Sequence, residues 1–159
     1  MPLRVNIRHL EDHEVRLQGE LPAAELDLEN NDELVRARLP VRYDLTAQRL
    51  GEAILVQGRL EVTLDCECAR CLKPFQHRIE LADWTAHLAL EGPEKVEIKD
   101  DLADLTPCLR EDILLEYPQH PLCEAGCAGL PNRAKEQETK GASQTEGSSV
   151  WSELNKLKL

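Results

Sequence analysis

From residue 35 onward, apolar and polar side chains alternate. Val35, Ala37, Leu39, Val41, Tyr43, Leu45 and Ala47 stand on one parity; Arg36, Arg38, Pro40, Arg42, Asp44, Thr46 and Gln48 stand on the other. A period of two places one set on a single face, the signature of a half-buried strand. After a turn around Gly51 the pattern resumes with Ile54, Val56, Gly58, Leu60, Val62 and Leu64. Two such runs across a short turn predict a long antiparallel hairpin, Val35 to Ala47 against Ile54 to Cys66, with Val41, Leu60 and Val62 toward the core. A register setting Arg38 opposite Asp65, Arg42 opposite Glu61 and Asp44 opposite Arg59 matches opposite charges. Pro40 has no N–H to give a ladder, which implies an edge or a bulge. Phe75, His77, Ile79 and Leu81 begin a third strand. Near Leu81 the parity flips to Trp84, Ala86, Leu88 and Leu90, which predicts a β-bulge.

Glu91 to Asp104 is polar and acidic and reads as a loop. A helix follows, with Thr106 as cap, Pro107 at its first position, and Leu105, Leu109 and Ile113 at helical spacing. Tyr117-Pro118 ends it. Gln119 to Leu130, with Pro121, two cysteines and two glycines, reads as irregular. Residues 131–149 are rich in Gln, Glu, Lys, Ser, Thr and Gly and have almost nothing to bury. Val150, Trp151, Leu154 and Leu157 then recur at helical spacing. The expected class is α+β: a mainly antiparallel β-sheet, a long hairpin within a barrel-like or curved sheet, with one main helix and a short C-terminal helix. The expected organisation is a single β-rich domain over 1–130, a flexible linker over 131–149 and a helix over 150–159.

Composition changes this picture in two ways. The net charge is -11, which disfavours nonspecific nucleic-acid binding, because neutralising phosphates takes basic groups. Between Glu11 and Glu33, nine acids face one arginine, so this segment holds most of the charge and is a natural surface for a basic partner. From Leu34 to Leu81 eight bases meet six acids. There Arg36, Arg38, Arg42, Arg59, Arg70, Lys73 and Arg78 form either a small phosphate-contacting patch or, the favoured reading, cross-strand ion pairs. Two Trp, two Tyr and one Phe leave few rings to stack on single-stranded bases. The opening residues lack a signal peptide's charged and apolar regions, and no apolar run is long enough for a membrane span, so the expected location is the cytoplasm.

Six cysteines in a reducing compartment point to thiols or metal ligands rather than disulfides. Cys68-Ala69-Arg70-Cys71 is a C-x2-C turn and Cys123-Glu124-Ala125-Gly126-Cys127 a C-x3-C turn. Thiolates spaced in this way curl toward one ion, and zinc wants four of them in a tetrahedron. One zinc ion shared by Cys68, Cys71, Cys123 and Cys127 is the candidate site, provided the fold brings the pairs together; reduced thiols, buried or idle, are the other reading. C-x-x-C also suits thiol redox chemistry, but that needs a lowered pKa, usually at a helix N-terminus, and Pro74 argues against a helix here. Cys66 falls on an apolar parity and Cys108 in the first helical turn, where packing is the default. His120, near Cys123, is an ordinary surface residue or a reserve ligand. No P-loop, G-x-G-x-x-G or G-x-S-x-G is present, and no catalytic constellation emerges.

Gly58-Arg59-Leu60-Glu61-Val62-Thr63-Leu64, followed by Cys68-Ala69-Arg70-Cys71-Leu72-Lys73-Pro74-Phe75, resembles the hallmark of the YceD family. So do Leu114-Leu115-Glu116-Tyr117-Pro118-Gln119-His120-Pro121-Leu122-Cys123, Cys127-Ala128-Gly129-Leu130, and the ending Val150-Trp151-Ser152-Glu153-Leu154-Asn155-Lys156-Leu157-Lys158. Two departures stand out: extra residues before Cys68 that add Cys66, and the absence of a further C-P-x-C-G after Cys127. The resemblance implies a non-catalytic factor in large-subunit ribosomal RNA accumulation and ribosome assembly, acting by binding. Its partner would be a pre-ribosomal large subunit or a basic ribosomal protein, with direct rRNA contact left open. A zinc-binding adaptor unrelated to ribosomes and a C-x-x-C thiol oxidoreductase are the alternatives.

Overall fold

The computed structural model describes residues 2–29 and 31–131. Its strands are β1 (Arg4–Asn6), β2 (Val15–Leu21), β3 (Val35–Arg36), β4 (Val41–Leu50), β5 (Ala53–Glu67), β6 (Pro74–Ala89), β7 (Ile98–Lys99) and β8 (Leu102–Asp104); the helix α1 (Thr106–Leu115) follows. Five of the strands form one antiparallel sheet, in which β4 and β3 flank β5 on one side, β2 extends β4, and β6 pairs with β5. A small antiparallel sheet, β1-β8-β7, stands apart from it.

The predicted hairpin is present, and its register through β4 pairs Arg42 with Glu61 and Asp44 with Arg59. Past Pro40 it shifts, because β3 sets Arg36, not Arg38, opposite Asp65. Residues 37–40 leave the ladder, as a proline without an N–H requires. Val41, Leu60 and Val62 are buried. The bulge also lies where the parity flips. Gly58 pairs with Trp84 and Leu60 with Leu81, so Arg59 alone opposes Ala82 and Asp83. The extra residue turns Trp84 and Ala86 back toward the core. Gly58 has φ +151°, and a Cβ there would stand 2.1 Å from the Asp44 carbonyl oxygen and 2.8 Å from Leu45 Cα. Only glycine admits β4 this close.

The stretch Glu91 to Asp104, read as a loop, carries β7 and β8. Three further expectations need correction. The class is mainly antiparallel β rather than α+β. The sheet curls into a half-barrel, and α1, ten residues long, is the one helix among the described residues. A stripe of only Thr106, Leu109 and Ile113 is buried along it, so the helix covers the sheet rather than forming a layer of its own. The expected C-terminal helix over 150–159 and all of the expected linker save Pro131 lie outside the described residues. Secondly, Thr106 does not cap α1. Its hydroxyl accepts the Leu3 N–H at 3.0 Å, its own N–H goes to Asp104 Oδ1 at 2.9 Å, and Leu105 holds the cap position. The N-terminal residues are thereby fastened to the start of the helix. Thirdly, the acidic segment is not merely a charged surface. Its β2 pairs with β4 over seven positions, and Leu21, Ala23, Leu26 and Leu28 are buried.

That extra strand redistributes the ion pairs. Arg42 binds Glu20 at 3.0 Å and Asp44 binds Arg16 at 2.7 Å, both across β2–β4, although their β5 partners lie in register. The Arg16 hydrogen bond holds the Asp44 carboxyl below its usual pKa. Arg59 pairs with Glu80, Arg78 with Glu61 at 2.8 Å, and Arg38 with Asp65 at 4.0 Å. Most of the would-be phosphate patch is therefore spent on neighbouring carboxylates. Exposed pairs of this kind fix register and charge more than they hold the fold.

Candidate metal centre

Two chain segments meet at one end of β5 and β6. The first is the connection between those strands, residues 68–73. Cys68 donates its N–H to the Lys73 carbonyl at 2.9 Å, and Leu72 donates back to the Cys68 carbonyl at 2.9 Å. This closes a tight turn in which Leu72 takes φ +60°, a left-handed conformation that a leucine adopts only under constraint. The second segment follows α1. Tyr117 anchors its start by donating its hydroxyl to the Leu28 carbonyl at 3.2 Å. Burial pushes the Tyr117 hydroxyl up to about 12, so it stays a donor at any ordinary pH. Cys127 donates to the Glu124 carbonyl at 3.2 Å, and Gly129, at φ +85°, turns the chain beside Arg70.

Two hydrogen bonds clamp the segments together. Ala69 donates its N–H to the Pro121 carbonyl at 2.7 Å, and Arg70 Nη1 donates to the Cys127 carbonyl at 3.1 Å. Arg70 therefore serves the site's structure. Neither clamp had a signal in the sequence, since one is a backbone pair and the other ends on a carbonyl.

The clamps bring four sulfurs together. The Sγ atoms of Cys68, Cys71, Cys123 and Cys127 all lie within 4.8 Å of one another. Cys68 and Cys127 are 3.7 Å apart, and Cys71 and Cys123 3.6 Å. A tetrahedral ion with bonds of ~2.3 Å to sulfur requires sulfur–sulfur edges of ~3.8 Å. A disulfide would need ~2.05 Å, and all six cysteines are free. The cluster thus has the dimensions of a four-thiolate metal site, and these four cysteines could hold a metal ion. Cys68 and Cys127 are buried, whereas Cys71 and Cys123 are partly open to solvent.

The protein environment already favours one thiolate. Hydrogen bonds from the backbone at Cys71 and Cys123 bring Cys68 down to about 6, against an added cost of burial. Cys123 is pushed up to about 12, first by its hydrogen bond with Cys71 and then by burial. A cation removes this asymmetry by favouring the charged form of all four.

The remaining candidates stay outside the cluster. Cys66 is buried in the strand core, where burial raises its thiol, and Cys108 packs against the core with its thiol pushed up to about 11. Both are apolar fillers. His120 is exposed. The C-x-x-C pair sits in a strand connection, not at a helix N-terminus, so the geometry typical of thiol oxidoreductases is missing.

The cysteine segments also locate the chain among known proteins. The family profile described as "Large ribosomal RNA subunit accumulation protein YceD" matches residues 56–158, well over half of the chain and both cysteine pairs. The chain belongs to the YceD family. Uncharacterized proteins of Mycobacterium bovis and Mycobacterium tuberculosis are each 30% identical to it over 95 residues, covering 55% of this chain and 46% of theirs. An uncharacterized protein of Mycobacterium leprae is 24% identical over 99 residues, covering 57% of this chain and 46% of its own. The chain spans about half the length of these curated relatives it matches. No solved structure matches it. Membership of the YceD family ties the chain by description to large-subunit ribosomal RNA. Among the described residues, no helix is long and apolar enough to cross a membrane.

Proposed function

We propose that this chain is a non-catalytic cytoplasmic factor that supports large-subunit ribosomal RNA accumulation and ribosome assembly by binding, and that Cys68, Cys71, Cys123 and Cys127 hold a structural zinc ion. The family match over residues 56–158 carries the ribosomal part of this reading. The sulfur spacing supports the metal part. Four thiolates fill a tetrahedral ion's coordination and leave no position for a substrate or water, which is the arrangement of structural rather than catalytic zinc. The metal's contribution is a cross-link between the strand connection and the segment after α1. Residues 1–130 act as one unit in this reading.

Zinc is expected at one ion per chain by native mass spectrometry at neutral pH, and a chelator is expected to lower the melting temperature. A chain with four intact thiols that takes up no zinc at micromolar concentrations would remove the metal from the reading.

The partner follows from charge. Glu11 pairs with Arg49, Glu20 with Arg42 and Asp27 with Arg110, while Asp32 accepts the Leu34 N–H. Asp12, Glu14, Glu29 and Glu33 are exposed and enter no ion pair among the described residues. Asp12 and Glu14 lie just ahead of β2, where Glu14 stands beside Thr46 and Gln57, whereas Glu29 and Glu33 lie on the approach to β3, where Glu33 stands beside Glu67. These two acidic patches would attract a basic large-subunit protein over roughly 8 Å at physiological ionic strength. A tagged chain is expected to sediment with large-subunit precursors on sucrose gradients and to detach at ~0.5 M salt. Replacing Asp12, Glu14, Glu29 and Glu33 by lysine is expected to abolish that association and leave the sheet folded. Association that survives the replacements, and is lost on changing Arg36 and Arg38, would shift the functional face to the basic strand and to RNA.

A further inference from the structure

Two close sulfur contacts in the cluster run between the two segments rather than within either sequence motif. Cys68 lies 3.7 Å from Cys127 and Cys71 lies 3.6 Å from Cys123, so each contact joins the strand connection to the segment after α1. We infer that a peroxide converts this centre into two crossed disulfides, Cys68–Cys127 and Cys71–Cys123, which release the metal yet keep the two segments tied. The metal's release rests on the zinc reading above; the pairing rests on the facing sulfurs, the hydrogen bonds that hold the segments in register and the loops the crossed bonds close.

Three observations carry it. Each facing pair must close by roughly 1.6 Å to reach the ~2.05 Å of a disulfide, a motion within the reach of side-chain rotation. The Ala69–Pro121 and Arg70–Cys127 hydrogen bonds hold the segments in register without using any sulfur, so the facing pairs stay facing when the ion leaves. The crossed bonds also close chain separations of 59 and 52 residues, which constrains the unfolded chain far more than linking neighbours three or four residues apart.

The chemistry balances. One thiolate attacks a peroxide oxygen; the O–O bond breaks, hydroxide leaves and a sulfenic acid forms. The facing thiolate then attacks that sulfur, the S–S bond forms and a second hydroxide leaves. Each disulfide takes two electrons from two sulfurs and, with two protons, turns one peroxide into two waters. Two peroxides and four protons therefore consume all four thiolates, and the ion departs as a divalent cation. Cys71 and Cys123, the partly open pair, are the entry point, and the buried Cys68 and Cys127 follow. A dithiol reductant reverses the reaction and restores the four thiols.

Peptide mapping decides the pairing. The full chain, zinc-loaded in one sample and chelator-treated in another, is oxidised with hydrogen peroxide, its remaining thiols are blocked, and it is digested without reduction. Trypsin cuts after Arg70, and a glutamyl endopeptidase cuts after Glu67 and Glu124, so Cys66, Cys68, Cys71, Cys123 and Cys127 fall on separate peptides. The expected products are 68–127 and 71–123 linked peptides, with the zinc of the loaded sample freed in proportion to peroxide and recaptured after reduction. In Cys127→Ser the 71–123 link alone is expected. Links of 68–71 and 123–127, or sulfinic and sulfonic acids in place of links, would overturn the inference even if zinc binds. Crossed links in a chain that never binds zinc would keep the pairing and defeat the metal reading instead.

Discussion

Gly58→Ala is expected to remove about 3 kcal/mol or more of stability. Two costs combine there. The backbone at φ +151° lies where side chains with a Cβ rarely go, a penalty of about 1–2 kcal/mol. The added methyl would also meet the Asp44 carbonyl oxygen at 2.1 Å, and backbone in mid-sheet moves only by opening the β4–β5 ladder, so overpacking adds about 1–3 kcal/mol. Gly51→Ala is the control. Gly51 has φ +61° but nothing within 4 Å of a Cβ, so only the conformational cost of about 1 kcal/mol applies. Urea titrations followed by tryptophan fluorescence measure both, since Trp84 sits across the bulge. Equal losses in the two variants would show that the β4–β5 approach at Gly58 is not tight.

Val62→Asp is expected to abolish folding outright. Val62 is 2% exposed and pairs with Ile79 on the inner face of the central strand. A carboxylate there has no cation to meet and costs several kcal/mol, or must take up a proton to avoid ionising. That is a large part of the 5–15 kcal/mol typical of a whole domain. Thr63→Asp, one residue on, turns to the opposite face with Arg78 across from it, and is expected to be neutral within about 0.5 kcal/mol. A folded, soluble Val62→Asp with native-like circular dichroism would mean that the inner face is not the core.

The sequence announced the elements that have both length and a strict period. β4, β5 and β6 run to 10, 15 and 16 residues, and their alternation survives even the bulge, because a slip of one residue would expose a whole face. Strands β1, β7 and β8, two or three residues long, offer no period to detect. In β2, Val15, Leu17 and Leu21 do alternate with Arg16, Gln18 and Glu20, but the charge of the surrounding segment hid the strand. The partners of Arg42 and Asp44 lie on β2, so the hairpin register alone pairs these two residues with Glu61 and Arg59 instead. At the cysteine cluster the ligand types and spacings were legible. What brings them together was not, because tertiary hydrogen bonds to carbonyls leave no trace in residue identity. Thr106 shows the same limit: its hydroxyl suits a cap, yet an N–H from 103 positions away claims it.

The order in which the cluster's halves occur along the chain has a consequence for synthesis. Cys71 leaves the ribosome 52 residues ahead of Cys123, roughly 3–10 s earlier at ordinary elongation rates. On the reading that these four cysteines hold a metal ion, the nascent hairpin would carry only half of the ligands during that interval. The four-thiol site would be complete only once Cys127 emerges, after the β-sheet has had time to form. A metal bound there would be the final fastening of this fold rather than its seed, and a chain that stalls before residue 123 would have its strands paired and its clasp open.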